Sequence, residues 1–149
     1  MSEGLPPCGL YRTTVRLGPI PAGRLVSFHN HGDPGPGLFL PTRWAAGRAR
    51  FEGEGVLIDA PWWASTLDPL PFEGLYRVRE PFHCCERECA LFEPDLVVLL
   101  SFTPDAQPTL TVPEWTERGL DLAVTGRLID RSRIAKLSPL RVAERSSDP

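Results

Sequence analysis

The sequence predicts an all-β or β-dominated fold, a small barrel or sandwich of short strands with one short helix near residues 82–92. Three observations predict it. The 17 prolines and 13 glycines are spread along all 149 residues and leave little room for long helices. The segments between these breakers are short and rich in Val, Leu, Phe, Thr and Trp, as strands are. Several of them alternate apolar and polar residues with the period of two that a half-buried strand requires.

The first such segment is residues 11–17. Tyr11, Thr13, Val15 and Leu17 share one face, and Arg12, Thr14 and Arg16 share the other. Residues 25–31 read as a second strand and residues 38–40 as a third, which Pro41 confines to an edge or an end. Residues 48–58 read as a hairpin turning at Gly53-Glu54-Gly55. Residues 75–79 alternate again. Residues 96–102 are almost wholly apolar and suit a central strand buried on both faces. Residues 109–115 and 120–128 complete the set. Residues 82–92 hold no Pro or Gly, and there the sequence predicts the helix; residues 131–137 predict a further turn or two, ended by Pro139. Residues 1–9 and 144–149 read as irregular. The sequence shows no internal repeat and no linker, so residues 1–149 are expected to form a single domain.

A net charge of −3 carries no basic footprint for nucleic acid. The basic residues are arginine except for Lys136 and lie scattered, which is the mark of a GC-rich genome rather than of an anion site. No apolar run reaches the ~18–20 residues of a membrane-spanning helix, and residues 1–9 lack the pattern of an export signal. The cysteines, at 8, 84, 85 and 89, are too few and too uneven for a secreted disulfide scaffold. The expectation is a cytoplasmic protein with free or metal-bound thiols.

The chemistry is concentrated in two short segments. They hold all three histidines and three of the four cysteines: Phe28-His29-Asn30-His31-Gly32 and Phe82-His83-Cys84-Cys85-Glu86-Arg87-Glu88-Cys89. On a strand, His29 and His31 point the same way, roughly 6–7 Å apart, while Val26 and Phe28 point toward the core. Two imidazoles so placed can chelate a divalent metal, with His83 or Cys84 as the third ligand. The alternative is a pair of exposed polar residues closing a strand. In the second segment a helix would align Phe82, Cys85, Cys89 and Phe92 as an apolar stripe, making the cysteines core packing with His83, Glu86 and Arg87 outward. As a turn, Cys84 or Cys85 with Cys89 and His83 would share a metal. The metal candidates are thus His29, His31, His83, Cys84 and Cys89, and the metal is zinc or another divalent transition metal.

Gly23, five residues and then His29-Asn30-His31 resemble the first motif of the cupin family. The resemblance covers that stretch alone. It implies a small β-barrel with His29 and His31 as metal ligands. The glutamate that follows in the family is replaced here by Asp33-Pro34-Gly35.

Complete catalytic motifs are absent, including Gly-x-Ser-x-Gly and His-Glu-x-x-His. Residues 32–37 are glycine-rich, but Pro34 and Pro36 remove N–H donors that a phosphate cradle needs. Of the four tryptophans, the outward member of Trp62-Trp63 is the best candidate for a contact surface. Two readings of function follow. The first is a binding or assembly module without catalytic activity, with a protein partner and a structural metal. The second is a cupin-like, metal-dependent enzyme using His29 and His31.

Overall fold

The computed structural model describes residues 5–32, 35–45, 47–122 and 126–143. Strands dominate, arranged among the described residues in several antiparallel sheets with no closed barrel. The barrel alternative is therefore overturned, and a small β-rich fold stands. Among the described residues no helix is long and apolar enough to cross a membrane.

The chain lays down one series of elements and then repeats it. The first half contains β1 (Gly9–Arg12), β2 (Leu25–His29), β3 (Gly37–Phe39), the hairpin of β4 (Arg43–Ala45) and β5 (Arg48–Arg50), β6 (Val56–Leu57), the short helix α1 (Pro61–Ser65) and β7 (Asp68–Pro69). The second contains β8 (Gly74–Val78), a hairpin of β9 (Phe82–His83) and β10 (Leu91–Phe92), β11 (Val97–Phe102) and β12 (Pro108–Thr111). There follow the hairpin of β13 (Glu114–Thr116) and β14 (Gly119–Asp121), β15 (Arg127–Leu128), a 3-10 turn (Arg131–Lys136) and β16 (Leu137–Pro139). The main sheets run β6-β3-β2-β1-β7 and β15-β12-β11-β8-β16. Strand for strand, the two orders are the same.

Register repeats as well. Tyr11 faces Val26 and Pro69 as Tyr76 faces Val98 and Pro139. Phe28 faces Leu38 as Leu100 faces Leu110. The Tyr11 hydroxyl donates to the Pro7 carbonyl at 2.7 Å, and the Tyr76 hydroxyl donates to the Phe72 carbonyl at 2.6 Å. Gly23 and Asp95 occupy the same left-handed turn position, at φ +80° and +68°. The sequence carries matching echoes: Gly-Leu-Tyr-Arg at 9–12 and 74–77, Leu-Ile-Asp at 57–59 and 128–130, Leu-x-Pro-Leu at 67–70 and 137–140. The expectation of no internal repeat is thus overturned. The echoes are short, and a hairpin extension in the second half shifts their spacing.

Each sheet buries one face. In the first half Tyr11, Leu17, Ile20, Val26, Phe28 and Leu38 form a core. Their counterparts Tyr76, Phe82, Phe92, Val98, Leu100 and Leu110 form the second. That second core also takes in Leu25 and Ala49, so it is where the halves meet. On the other face of β11 Leu99 is buried, but Val97 is exposed and Ser101 half-buried, so the strand is central in its sheet without being buried on both faces throughout.

Other expectations change. Residues 82–92 form a hairpin, not a helix. Phe82 and Phe92 are cross-strand partners whose rings stack at 5.1 Å, and both are buried. The spacing that suggests a helical stripe reflects this pairing across a turn, where Glu88 sits at φ +56°. Leu17 and Ile20 make the equivalent bridge in the first half, spanned only by Gly18-Pro19. Residues 48–58 are not a hairpin: β5 pairs with β4, and β6 pairs with β3. Residues 11–17 form a strand only as far as Arg12, although Tyr11, Thr13 and Leu17 are buried. Trp62 and Trp63 lie on α1, which Pro61 opens at a position where its missing N–H costs nothing. Trp62 is exposed, and Trp63 packs on the first core.

Candidate functional site

The first donor cluster follows from strand pairing. β1 and β2 pair with Gly9 opposite Phe28. One step further, the same register sets Cys8 across from His29, and cross-strand partners share a face of the sheet. His31, two residues beyond His29, returns to that face. One donor atom from each of Cys8, His29 and His31 lies within 4.8 Å of the others, and all three side chains are exposed. Cys8 Sγ is 3.5 Å from His31 Nδ1 and accepts the Asn30 backbone N–H at 3.4 Å. The Asn30 side chain donates to the Pro6 carbonyl at 3.1 Å and so ties the strand end to the segment before β1. The His29 ring stands edge-on to Phe39 at 5.1 Å. Val26 and Phe28 point the opposite way, into the core, as their alternation requires.

The second cluster sits on the tip of the β9–β10 hairpin. Donor sulfurs of Cys84, Cys85 and Cys89 lie within 4.8 Å of one another. Cys84 N–H donates to the Ala90 carbonyl at 2.9 Å, and the Glu88 N–H returns to the Cys85 carbonyl at 2.9 Å, closing the turn. Cys84 is buried, Cys85 half-buried and Cys89 exposed. Of the expected packing pair Cys85 packs partly against the core and Cys89 does not, while Cys84 is buried within it. The Arg87 backbone N–H, and after it the Cys84 thiol, hydrogen-bond to Cys85 sulfur and hold its pKa below the usual thiol range. Cys89 is pushed up, first by its hydrogen bond to Cys85 and then by the charge there. One thiolate forms first, backed by its neighbours. The three cysteines, with Phe92, Leu110 and Arg127, line a groove of about 750 Å³.

No family model, curated protein or solved structure matches this chain.

Its own second half supplies the frame of reference instead. The positions equivalent to Cys8, His29 and His31 are Glu73, Ser101 and Thr103. There the Glu73 carboxylate accepts the Ser101 hydroxyl, the Phe102 N–H at 3.3 Å and the Ala49 N–H at 2.9 Å. The Thr103 hydroxyl accepts the Gln107 N–H at 3.1 Å. Glu73 and Thr103 thus satisfy backbone donors, and Ser101 ties to Glu73. The first half presents exposed sulfur and imidazole at the same positions. The second cluster departs from the repeat too, because residues 83–91 replace Gly18-Pro19.

The expected site residues therefore divide. His29 and His31 are brought together, and the donor beside them is Cys8 rather than His83 or Cys84. Cys84 and Cys89 are brought together with Cys85. His83 belongs to neither cluster and lines an adjoining cleft of about 240 Å³ with Cys85, Glu86, Glu88 and Arg133. Asp33 lies outside the described residues. Cys8 was missed because only the β1–β2 register connects it to the histidines.

Proposed function

We propose that the chain is a binding and assembly module without catalytic activity that holds zinc or another divalent transition metal. One centre is formed by Cys8, His29 and His31, the other by Cys84, Cys85 and Cys89. One observation carries this reading. At both places among the described residues where soft donors converge within 4.8 Å, the half that holds them departs from its duplicate. Mixed nitrogen and sulfur donors suit zinc, and three thiolates suit zinc or a softer cation. The four cysteines are free, which supports a reducing compartment such as the cytoplasm.

The cupin-like enzyme is the second reading. Three protein ligands leave a coordination position open, as catalytic zinc sites do. Against it, the His29 and His31 side chains are exposed. A substrate pocket normally buries most of its ligand.

Metal stoichiometry tests the proposal. Protein stripped with chelator and returned to zinc should bind two equivalents after desalting. Changing His29 and His31 to Ala should remove one, and changing Cys85 and Cys89 to Ser should remove the other. Metal-free parent protein, or zinc retained undiminished by both variants, overturns the reading.

A further inference from the structure

The two internal hairpins have different fates. The β4–β5 hairpin of the first half lies on the second half. Trp44 Nε1 donates to the Phe102 carbonyl at 2.9 Å, and the Ala49 N–H donates to Glu73 at 2.9 Å. Its tip approaches so closely that a Cβ on Gly47 would lie 2.0 Å from Leu99, and Gly47 sits at φ +74°. Only glycine fits there. Ala49 is buried, and Phe51 packs against the shared core.

The β13–β14 hairpin is its duplicate, with Trp115 paired to Leu120 as Trp44 is paired to Ala49. Among the described residues its apolar side chains stand open. Trp115 is 82% exposed, Leu120 60% and Leu122 41%. These are the counterparts of Trp44, Ala49 and Phe51. A cluster of this kind, led by a tryptophan, is the composition of a contact surface rather than of scattered surface apolar residues.

The face that would receive it also exists in duplicate. Leu99, Phe102 and Glu73 receive the first hairpin, and their counterparts are Ser27, Asn30 and Cys8. The equivalence extends to hydrogen bonding: the Asn30 N–H reaches Cys8 at 3.4 Å as the Phe102 N–H reaches Glu73 at 3.3 Å. Side-chain sizes are exchanged between the two sides. Where Gly47 lies over Leu99, the second pair would be Arg118 over Ser27, so the larger side chain changes sides.

We propose that the β13–β14 hairpin docks on the Ser27–Asn30 face of a second copy of this chain. Trp115 Nε1 would donate to the Asn30 carbonyl there, as Trp44 donates to that of Phe102. The contact joins unlike surfaces, so each copy offers one hairpin and one face. Such a contact propagates head to tail, giving rings if the rotation closes and filaments if it does not. It deepens the assembly reading and rests on it, but it requires neither metal centre.

Sedimentation of the full chain over a range of concentrations tests it, in chelator and again with zinc. The parent should grow past a dimer as concentration rises. Trp115→Ser, at an exposed position, should stay folded and weaken association by about tenfold or more, as loss of a tryptophan anchor does. Ser27→Arg, placed against Arg118, should do the same. Mixing these two variants should give a dimer that grows no further, because one intact hairpin meets one intact face. A parent that is monomeric at every concentration in both buffers overturns the proposal. So does an association that Trp115→Ser abolishes and Ser27→Arg leaves intact, since that contact joins hairpin to hairpin. Loss of zinc binding with association unchanged counts against the metal centres alone.

Discussion

The halves of this chain share strand order and register, yet they put different chemistry at equivalent positions. In the second half Glu73 accepts the N–H groups of Ala49 and Phe102 and the Ser101 hydroxyl, and Thr103 accepts the Gln107 N–H. In the first, Cys8 keeps the matching bond from the Asn30 N–H, but it stands exposed with His29 and His31 and their donor atoms lie together. The hairpin extension reverses the roles, since Gly18-Pro19 makes a bare turn where the second half carries Cys84, Cys85 and Cys89. Even the arginines differ. Arg77 pairs with Asp95 at 2.6 Å, whereas the counterpart of Asp95 is Gly23, and Arg12 Nε is buried without a partner. A duplicated frame lets one copy keep structural duty at a position while the other takes up a different chemistry. The shared buried positions show what the frame itself needs.

The largest test of that comparison is in the cores. Phe28 and Leu100 are counterparts and both fully buried. Phe28→Ala should cost about 3–5 kcal/mol and Leu100→Ala about 2–5 kcal/mol. Denaturant unfolding should remain one cooperative transition in each variant, because Leu25 and Ala49 belong to the second half's core. A transition that splits in two would separate the halves and break the comparison.

The hairpins come next. Trp44→Ala loses a hydrogen bond and the packing against the second half, for about 1–3 kcal/mol. Trp115→Ala should change the stability of dilute protein by no more than about 0.5 kcal/mol. Equal losses would mean that Trp115 is anchored within its own chain. A similar contrast applies to Glu73→Ala and Cys8→Ala in metal-free protein. The first orphans three donors and should cost about 1–3 kcal/mol, the second about 0.5 kcal/mol or less.

The effect that vanishes at neutral pH is a pH dependence shared by the halves. Burial pushes the Tyr76 hydroxyl up to about 12, and burial with the charge of Cys8 raises Tyr11. Above the ordinary tyrosine pKa of about 10 the unfolded chain releases these protons while the folded chain keeps them. Both tyrosines therefore contribute stability that is complete below about pH 10 and lost as pH rises through the folded values. Tyr76→Phe should flatten the loss of stability between about pH 10 and 12 more than Tyr11→Phe does, measured by denaturant midpoint at each pH. A greater effect at Tyr11 would reverse the order of their burial.

Local pattern made much of this legible. Breakers and period-two alternation place β2, β3, β8 and β11 close to where they form, because strand length and facing depend on neighbours a few residues away. The same alternation puts His29 and His31 on one face and Val26 and Phe28 on the other. The turn at 131–136 is legible for the same reason. Residues 82–92 misled because apolar spacing does not distinguish a helix face from two strands meeting across a turn. Packing of Phe82 on Phe92 decides it.

What the sequence alone determined is thus the strand-rich class, the alternation of its strands and the two segments where donors gather. What only the tertiary structure decided is which distant residues meet. Cys8 joins the histidines because β1 and β2 pair in one register, and a slip of a single residue would turn it to the other face. Cys84, Cys85 and Cys89 converge because a hairpin closes where a helix is expected. The duplication emerges from sheet order, since hydrogen-bonded registers and buried positions tolerate nearly any apolar residue and leave only short echoes in the chain.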